Sequence, residues 1–408
     1  NGYAISVPIS EQTSGGSVYN ICSGYEDLSR FNVDGTNFFE TQLAFKKAIE
    51  RARKGLGPSV IVSKVVRLLP HSSSDDQRKY RSEKELEKDK KNDPIKKFEK
   101  QCIDKSIISK KEFEKIEQNV KKMIEDEVSY VEDQENPHPS NATKHLFSDS
   151  TKFDESLNNE AKIINDKTVM VDGINHALSE ELEYNKKMLI YGEDVGGDKG
   201  GVFTATRGLT KQFGSDRVFN SPLAESSIIG TAIGLSVVGY KPVVEIQFGD
   251  YIWPAMMQIR NEVATLRYRS NGNWSCPLVI RVPVGGYIHG SLYHSQSIDG
   301  YFAHTPGLKV VYPSNAADAK GLLKYACRCD DPVLFMEHKG IYRQGFASSP
   351  EPDKDYLLPF GKANIVQEGS DLTIVTWGAI VQKATEAARK SDKSIEIIDI
   401  RTLNPLDI

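Results

Sequence analysis

The chain has 408 residues, of which 39% are hydrophobic and 26% are charged, and its net charge is -4. This composition is typical of a globular protein with room for two or three domains. The small net charge gives no indication of a nucleic-acid partner or an anionic membrane, and no apolar run of about 20 residues could span a bilayer.

The sequence has no signal-peptide pattern, so we expect a cytoplasmic protein. Its five cysteines are odd in number and scattered, which fits reduced thiols better than a disulfide framework or a zinc site. The sequence begins at Asn1 rather than at Met and stops at Ile408, directly after a predicted strand. We therefore expect it to be a fragment.

The first part of the chain has an α/β pattern. A helix is predicted over about 39–54, where a Gly- and Pro-rich turn ends it, and an apolar, β-branched strand is predicted over 59–69. The strand leads into the polar loop 70–76, which contains His71. Loops at strand ends often carry the chemistry of α/β proteins, although a lone loop histidine is more often a surface residue.

Lys, Glu and Asp dominate residues 81–133. Phe113, Ile116, Val120 and Ile124 recur there at helical spacing, so the pattern predicts an amphipathic helix with a solvated face. Because acids and bases are interleaved, a nucleic-acid patch is disfavoured. The Asn-, Ser- and Pro-rich sequence that follows is predicted to be a linker, residues 146–166.

A second α/β unit begins near Lys167. Its predicted strands are 188–191, 242–248, 278–282, 309–312 and 333–337, and its predicted helices are 228–238, 254–269 and 316–326. A partial third unit has a strand at 371–377, a helix at 381–390 and a strand at 395–400. Strands that alternate with helices predict parallel sheets with helices on both faces.

Two carboxylates stand at unusual places in this second unit. Glu225 precedes the apolar run Ile228–Val238, and a helix that is apolar on all sides is expected to be buried. Glu225 is therefore predicted to lie where the interior begins, although helix starts commonly carry acids. Glu245 lies inside an apolar strand and must be paired, hydrogen-bonded or protonated.

These features together resemble the E1 component of 2-oxo acid dehydrogenase complexes, which are thiamine-diphosphate enzymes of the transketolase superfamily, with the α-type and β-type subunits fused in one chain. The α-like residues are Asn1–Ser6 and His71–Asp76 with Tyr80-Arg81. The β-like residues are Gly192–Val195, Gly200–Phe203, Phe219–Gly230, Glu245–Phe248, Tyr293–Gln296 and Pro306–Val311. The implied domains are the C-terminal part of an E1 α-like domain (1–145), the linker, a β-like pyrimidine-binding domain (167–350) and a partial transketolase C-terminal-like domain (351–408).

The resemblance also implies roles for individual residues. Glu225 matches the acid that hydrogen-bonds N1′ of the cofactor's aminopyrimidine, and an apolar surrounding would favour its protonated form. Leu223, Gln247 and Tyr251 match residues that line the aminopyrimidine pocket. Glu193, like Glu245, matches an internal acid between the two active sites of the family.

The remaining implied roles concern the reacting end and the ions. His71 and His294 match two histidines that orient the 2-oxo acid and transfer protons. The Asn1 side chain and the Tyr3 carbonyl match Mg²⁺ ligands, and K⁺ is a further candidate ion. The upstream acidic part of the diphosphate motif is absent from the sequence. Ser72 matches a residue that is phosphorylated in some relatives, but we favour an ordinary loop serine.

The expected activity is oxidative decarboxylation of a branched-chain 2-oxo acid of the 2-oxoisovalerate type. The expected partners are the lipoyl domain and core of an E2 acyltransferase, which receives the acyl group, and further copies of the chain in an (αβ)2-like assembly. A pyruvate-specific E1 and a non-catalytic assembly subunit are the alternatives. Neither nucleic acid nor a membrane is expected as a partner.

Overall fold

The computed structural model describes residues 1–149 and 161–408, which divide into two units, Asn1–Asn136 and Pro137–Ile408. Within the described ranges, no helix is both long enough and apolar enough to cross a membrane.

The first unit contains four strands and six helices. The strands are β1 (Tyr3–Ala4), β2 (Val7–Pro8), β3 (Ser29–Asp34) and β4 (Ser59–Lys64). The helices are α1 (Ile9–Gln12), α2 (Val18–Ile21), α3 (Phe38–Arg53), α4 (Glu83–Lys91), α5 (Pro94–Asp104) and α6 (Lys110–Glu132). Strands β3 and β4 pair in parallel, and β1 pairs with β2 in the antiparallel sense.

The predicted helix and strand before the His71 loop are both present, but the strand is shorter than predicted. The Asn37 side chain accepts a hydrogen bond from Glu40 N and caps α3. Strand β4 ends at Lys64 rather than at Leu69, because its partner β3 ends at Asp34 and turns away. The residues after Lys64 therefore have no neighbouring backbone in this sheet.

The charged stretch forms three helices, of which α6 is the predicted amphipathic one. Capping boxes at Ser82 and Ser109 begin α4 and α6, and Pro94 begins α5. The apolar side of α6, including Ile116, is largely exposed in this chain.

Both ends of the predicted linker 146–166 make backbone hydrogen bonds to distant segments, and its middle, 150–160, lies outside the described residues. Before that gap, the Ser148 N–H donates to Asp331 Oδ1 at 2.8 Å. After it, β5 (Ile163–Thr168) pairs with β12 (Ser349–Pro352) in the antiparallel sense. The polar composition of these segments gave no indication of these hydrogen bonds, because the partners are far away in the sequence.

The second unit is built on a seven-stranded sheet in the order β16-β10-β11-β9-β8-β6-β7. Six strands run in parallel, and the edge strand β16 is antiparallel to β10. The sheet strands are β6 (Met188–Gly192), β7 (Val218–Asn220), β8 (Lys241–Glu245), β9 (Val279–Val284), β10 (Lys309–Val311), β11 (Val333–His338) and β16 (Thr402–Asn404). The helices of this unit before residue 350 are α7 (Met170–Tyr184), α8 (Leu209–Phe213), α9 (Glu225–Val237), α10 (Leu266–Arg269), α11 (Asp299–Ala303) and α12 (Ala316–Arg328).

Apolar side chains cover both faces of this sheet. Val243 packs in one core with residues of α7 and α12, whereas its neighbour Val244 packs in a second core with residues of α9 and α11. Successive residues of a strand point to opposite faces, so the strand is buried on both sides. The predicted parallel sheet with helices on both faces is confirmed.

Two helical predictions in this unit need correction. Helix α9 is not buried on all sides: Ile228, Ile229, Ala232 and Ser236 are buried, but Val237 is 36% exposed. Only one face of the helix packs against the sheet and its neighbours, so Glu225 at its start is half-buried rather than buried. The predicted helix 254–269 is broken into the 3₁₀ turn Trp253–Ala255, the π-helical segment Gln258–Val263 and α10.

The C-terminal part forms a small α/β layer. Its strands β13 (Asn364–Gln367), β14 (Leu372–Thr376) and β15 (Ile395–Asp399) are arranged in the order β13-β15-β14, and α13 (Ile380–Lys390) packs on them. The predicted strand, helix and strand are all present.

Candidate active site

Several predicted site residues lie at the carboxyl edge of the large sheet. Strands β6 and β8 are parallel neighbours, with Gly192 opposite Glu245. Glu193 directly follows β6, and Gln247 lies just beyond β8. Gln247 Nε2 is 3.3 Å from the Glu193 carbonyl oxygen and 3.2 Å from Asp194 Oδ2. The parallel register therefore brings Glu193 and Gln247 together.

Glu193 is a buried carboxyl with an unsatisfied oxygen. The residue is 4% exposed, and its Oε1 has no hydrogen-bond partner among the described residues. Burial raises the pKa of Glu193, and the nearby carboxylates of Glu225 and Asp194 raise it further. A buried acceptor without a partner is costly, so this oxygen is suited to a group that binds at the site.

A second acid, Glu245, is held by a buried ion network. Arg281 Nη1 donates to Glu245 Oε2 at 2.7 Å, and the same guanidinium contacts both oxygens of Glu337 at 2.7 and 2.8 Å. The Tyr342 hydroxyl donates to Glu337 Oε2 at 2.5 Å. Burial raises the pKa of Glu245, although Arg281 opposes this shift. Glu245 is paired, as predicted.

Sequence reasoning did not select Arg281 or Glu337. Both lie inside apolar strands, β9 and β11, and both are completely buried. That is the same signal that singled out Glu245, a charge in a buried strand, and it would have identified all three residues of the network.

His294 is held by hydrogen bonds at both ring nitrogens. Its Nε2 is 2.8 Å from the Tyr251 hydroxyl, and its Nδ1 is 3.2 Å from the Gly290 carbonyl oxygen. A carbonyl can only accept, so Nδ1 carries the hydrogen and Nε2 accepts from Tyr251. The Phe248 ring packs edge-on against both rings, with centroids 4.8 Å from His294 and 5.3 Å from Tyr251.

The loop that carries His294 is tied to the turn that carries Tyr251. Asp250, in the 3₁₀ turn Gly249–Tyr251, accepts hydrogen bonds from Ser295 N and Gln296 N, each at 3.3 Å. Leu223 lies in the turn before α9 and is 85% exposed. In this chain its side chain therefore faces solvent.

The other predicted residues belong to the first unit. Asn1 Oδ1 accepts from Tyr3 N at 2.9 Å, so the two predicted Mg²⁺ ligands are adjacent. The Tyr3 hydroxyl donates to Glu85 at 3.0 Å. Mg²⁺ takes six oxygens, so these two residues would supply only two of the ligands that the predicted site needs. Within 1–149 and 161–408, no group of three His, Cys, Asp or Glu side chains could hold a metal.

His71 stands in a loop that a second hydrogen-bond network orders. Its backbone N–H donates to Asp75 Oδ2 at 2.9 Å, and the Tyr80 hydroxyl donates to the same oxygen at 2.6 Å. Arg67 Nη2 is 2.6 Å from the Tyr80 hydroxyl. The Tyr80 hydrogen bond is the main cause that lowers the pKa of Asp75. This network holds the loop backbone and leaves the His71 side chain exposed.

Three family profiles match successive parts of the chain. Residues 1–140 match the dehydrogenase E1 component, residues 166–344 match the transketolase pyrimidine-binding domain, and residues 361–408 match the transketolase C-terminal domain.

Curated relatives agree with these profiles. The chain is 52% identical over 240 residues to the 2-oxoisovalerate dehydrogenase subunit beta of Bacillus subtilis, covering 58% of this chain and 72% of the relative. It is 47% identical over 242 residues to the pyruvate dehydrogenase E1 component subunit beta of the same organism, covering 59% and 74%. Among solved structures, an inactive beta4 tetramer of a split-gene transketolase aligns with a TM-score of 0.46 and 24% identity, over 59% of this chain and 72% of that one.

An E1 dehydrogenase segment thus precedes two transketolase-type domains in one polypeptide. The chain belongs to the thiamine-diphosphate-dependent E1 components of the 2-oxo acid dehydrogenases.

Proposed function

We propose that this E1 component decarboxylates a branched-chain 2-oxo acid of the 2-oxoisovalerate type and transfers the acyl group to the lipoyl group of an E2 acyltransferase. The choice of substrate rests on sequence identity to two relatives. Over nearly the same length, the β-like part is 52% identical to a 2-oxoisovalerate dehydrogenase subunit and 47% identical to a pyruvate dehydrogenase subunit.

The residues of the sheet edge fit the cofactor that the family implies. Glu193 offers a buried oxygen without a partner, and Glu225 lies close enough to raise the Glu193 pKa. Thiamine diphosphate, when bound, supplies the electron sink for the carbanion that decarboxylation leaves. The proposed pocket residues Leu223, Gln247 and Tyr251 would orient its aminopyrimidine.

Glu225 is the proposed proton-holding acid. Its charge raises the pKa of Glu193, so the two carboxyl groups lie near each other at the sheet edge. The Glu225 carboxyl would hold a proton and share it with N1′ of the aminopyrimidine.

The two histidines are proposed for the reacting end. His294 presents Nε2 as an acceptor, now satisfied by the Tyr251 hydroxyl, so it can exchange a proton through that bond. His71 has an exposed side chain on an ordered loop and would orient the carboxylate of the 2-oxo acid.

Further parts of the proposal concern ions, domains and assembly. Asn1 and Tyr3 would supply two Mg²⁺ oxygens, while K⁺ stays a prediction without a site. We also propose the domain limits 1–145, 167–350 and 351–408, a cytoplasmic location, an (αβ)2-like assembly and an E2 partner.

A comparison of substrates tests the proposal. The full-length protein would be assayed with 2-oxoisovalerate and with pyruvate, using an artificial electron acceptor, with and without thiamine diphosphate and Mg²⁺. We expect cofactor-dependent turnover with kcat/KM about 10-fold or more higher for the branched acid, the usual discrimination of a hydrophobic pocket.

Two other results of this assay would change the proposal. A preference for pyruvate would retain the class and replace the substrate, which the 47% identity to a pyruvate dehydrogenase subunit makes the second candidate. Absence of turnover with either acid would favour another 2-oxo acid as substrate or a non-catalytic assembly subunit.

A further inference from the structure

A short segment before the undescribed residues packs onto the β-like part of the chain. Residues 145–149, named here the anchor segment, follow the 3₁₀ turn Pro139–Thr143 and belong to the second unit. By sequence four residues, 141–144, separate them from the match to the dehydrogenase E1 component, which ends at residue 140. The α-like part is therefore followed by residues that contact the β-like part.

The central contact is between an aromatic ring and a buried cation. Lys309 Nζ lies 4.0 Å from the centroid of the Phe147 ring. The Lys309 side chain is 6% exposed, and its burial lowers the pKa of the ammonium group. An aromatic face stabilises a desolvated ammonium, so the ring of Phe147 replaces part of the hydration that Lys309 has lost.

A charged hydrogen bond fixes the backbone of the same segment. The Ser148 N–H donates to Asp331 Oδ1 at 2.8 Å. Asp331 is 3.8 Å from Lys309 Nζ and 3.5 Å from Arg267 Nε, so a buried carboxylate joins the segment to both cations. Hydrogen bonds to an ionised acceptor are stronger than neutral ones.

Glycines allow the segment to lie close to the surface beneath it. A Cβ atom on Gly272, which has φ +80°, would lie 2.7 Å from His145 Nδ1. The surface beside the segment is a groove of 670 Å³ lined by the segment together with Lys309, Phe360, Gly361, Pro405 and Leu406. Gly272 thus permits the close approach of His145, while the groove stays open beside the segment.

We propose that the anchor segment is an intramolecular docking element that attaches the α-like part of the chain to the β-like part at Lys309 and Asp331. Its occupant is this segment of the same chain, and the attachment does not depend on covalent continuity through residues 150–160. The proposal needs the division into α-like and β-like parts but not the identity of the substrate.

The test cuts the chain after the anchor segment. A specific protease site is inserted between residues 150 and 160 of the full chain, the purified protein is cut, and the affinity between the two pieces is measured by dilution and size-exclusion chromatography. We expect the cut wild-type pieces to stay associated. Phe147→Ala should weaken the association about tenfold, the range of a desolvated cation–aromatic contact, and Phe147→Leu should weaken it less.

The control is Phe346→Ala, which removes a ring that is 52% exposed in the same unit. This variant should retain wild-type affinity, and thermal unfolding of the uncut chains should be alike for all variants. Equal affinity of the Phe147→Ala, Phe346→Ala and wild-type pieces would overturn the proposal. The assay needs no turnover, so its result is independent of the substrate assay.

Discussion

The Tyr251 hydroxyl lies 2.8 Å from Nε2 of His294, while the Gly290 carbonyl oxygen holds the opposite ring nitrogen. The Gly290 carbonyl oxygen sets the tautomer of His294, because it can only accept, and the Tyr251 hydroxyl is then the donor to Nε2. Tyr251 entered the sequence prediction only as a residue that lines the cofactor pocket, so the structure adds a positioning function to it.

Replacing Tyr251 by Phe should therefore lower kcat for acyl transfer to the lipoyl group by about 10-fold or more, because His294 loses its partner at Nε2. Steady-state kinetics of the full-length protein with a lipoyl domain would measure this. Tyr287→Phe, at an exposed tyrosine in the segment between β9 and α11 that also carries His294, is the matched control. Equal rates in the two variants would show that the bond does not assist His294.

Glu225→Gln should reduce turnover by about 10²–10⁴-fold, because an amide has no carboxyl proton to share with the cofactor. Glu225 is half-buried at a helix start, so the fold should tolerate the change. Turnover and circular dichroism measured on one preparation would test both statements. Unchanged turnover would refute the assigned role.

Arg281→Ala should destabilise the second unit by about 3–5 kcal/mol, because it leaves Glu245 and Glu337 buried without their shared cation. Urea unfolding would measure the loss as a lower midpoint. Arg78→Ala removes an ion pair whose arginine is 80% exposed and should leave the midpoint unchanged. An equally small effect of both substitutions would mean that water relieves the buried carboxylates.

Asp399 should make stability depend on pH. Burial raises its pKa to about 6, against an ordinary value of 3.8. The folded state therefore holds this proton more tightly than the unfolded state, and stability is lost as pH rises from about 4 to above 6. The shift corresponds to about 3 kcal/mol.

Asp399→Asn should remove that part of the pH dependence, since its side chain can still accept from Ser314 and has no charge to bury. The free energy of unfolding would be measured between pH 4 and pH 7. The matched control, Asp392→Asn, changes a side chain that is 88% exposed and should keep the wild-type slope. If Asp399→Asn also keeps that slope, the carboxyl does not titrate in this range.

The sequence by itself determined the parts that depend on local pattern. Apolar runs identified five of the seven strands of the large sheet, all except β7 and β16, because a parallel strand covered on both faces is apolar over most of its length. The same reasoning showed that Glu245 needs a partner. The capping boxes of α4 and α6 are likewise local, because each one involves only four consecutive residues.

Only the tertiary structure decided which distant groups meet. Arg281 is 36 residues from Glu245, and His294 is 43 residues from Tyr251. Strand β5 exists because β12 supplies its hydrogen bonds, and β4 ends where β3 turns away. Helix α9 looked buried by composition, yet one side stays exposed because packing covers only the face toward the sheet. Local sequence specifies the requirement for a partner, whereas strand register and packing determine which residue meets it.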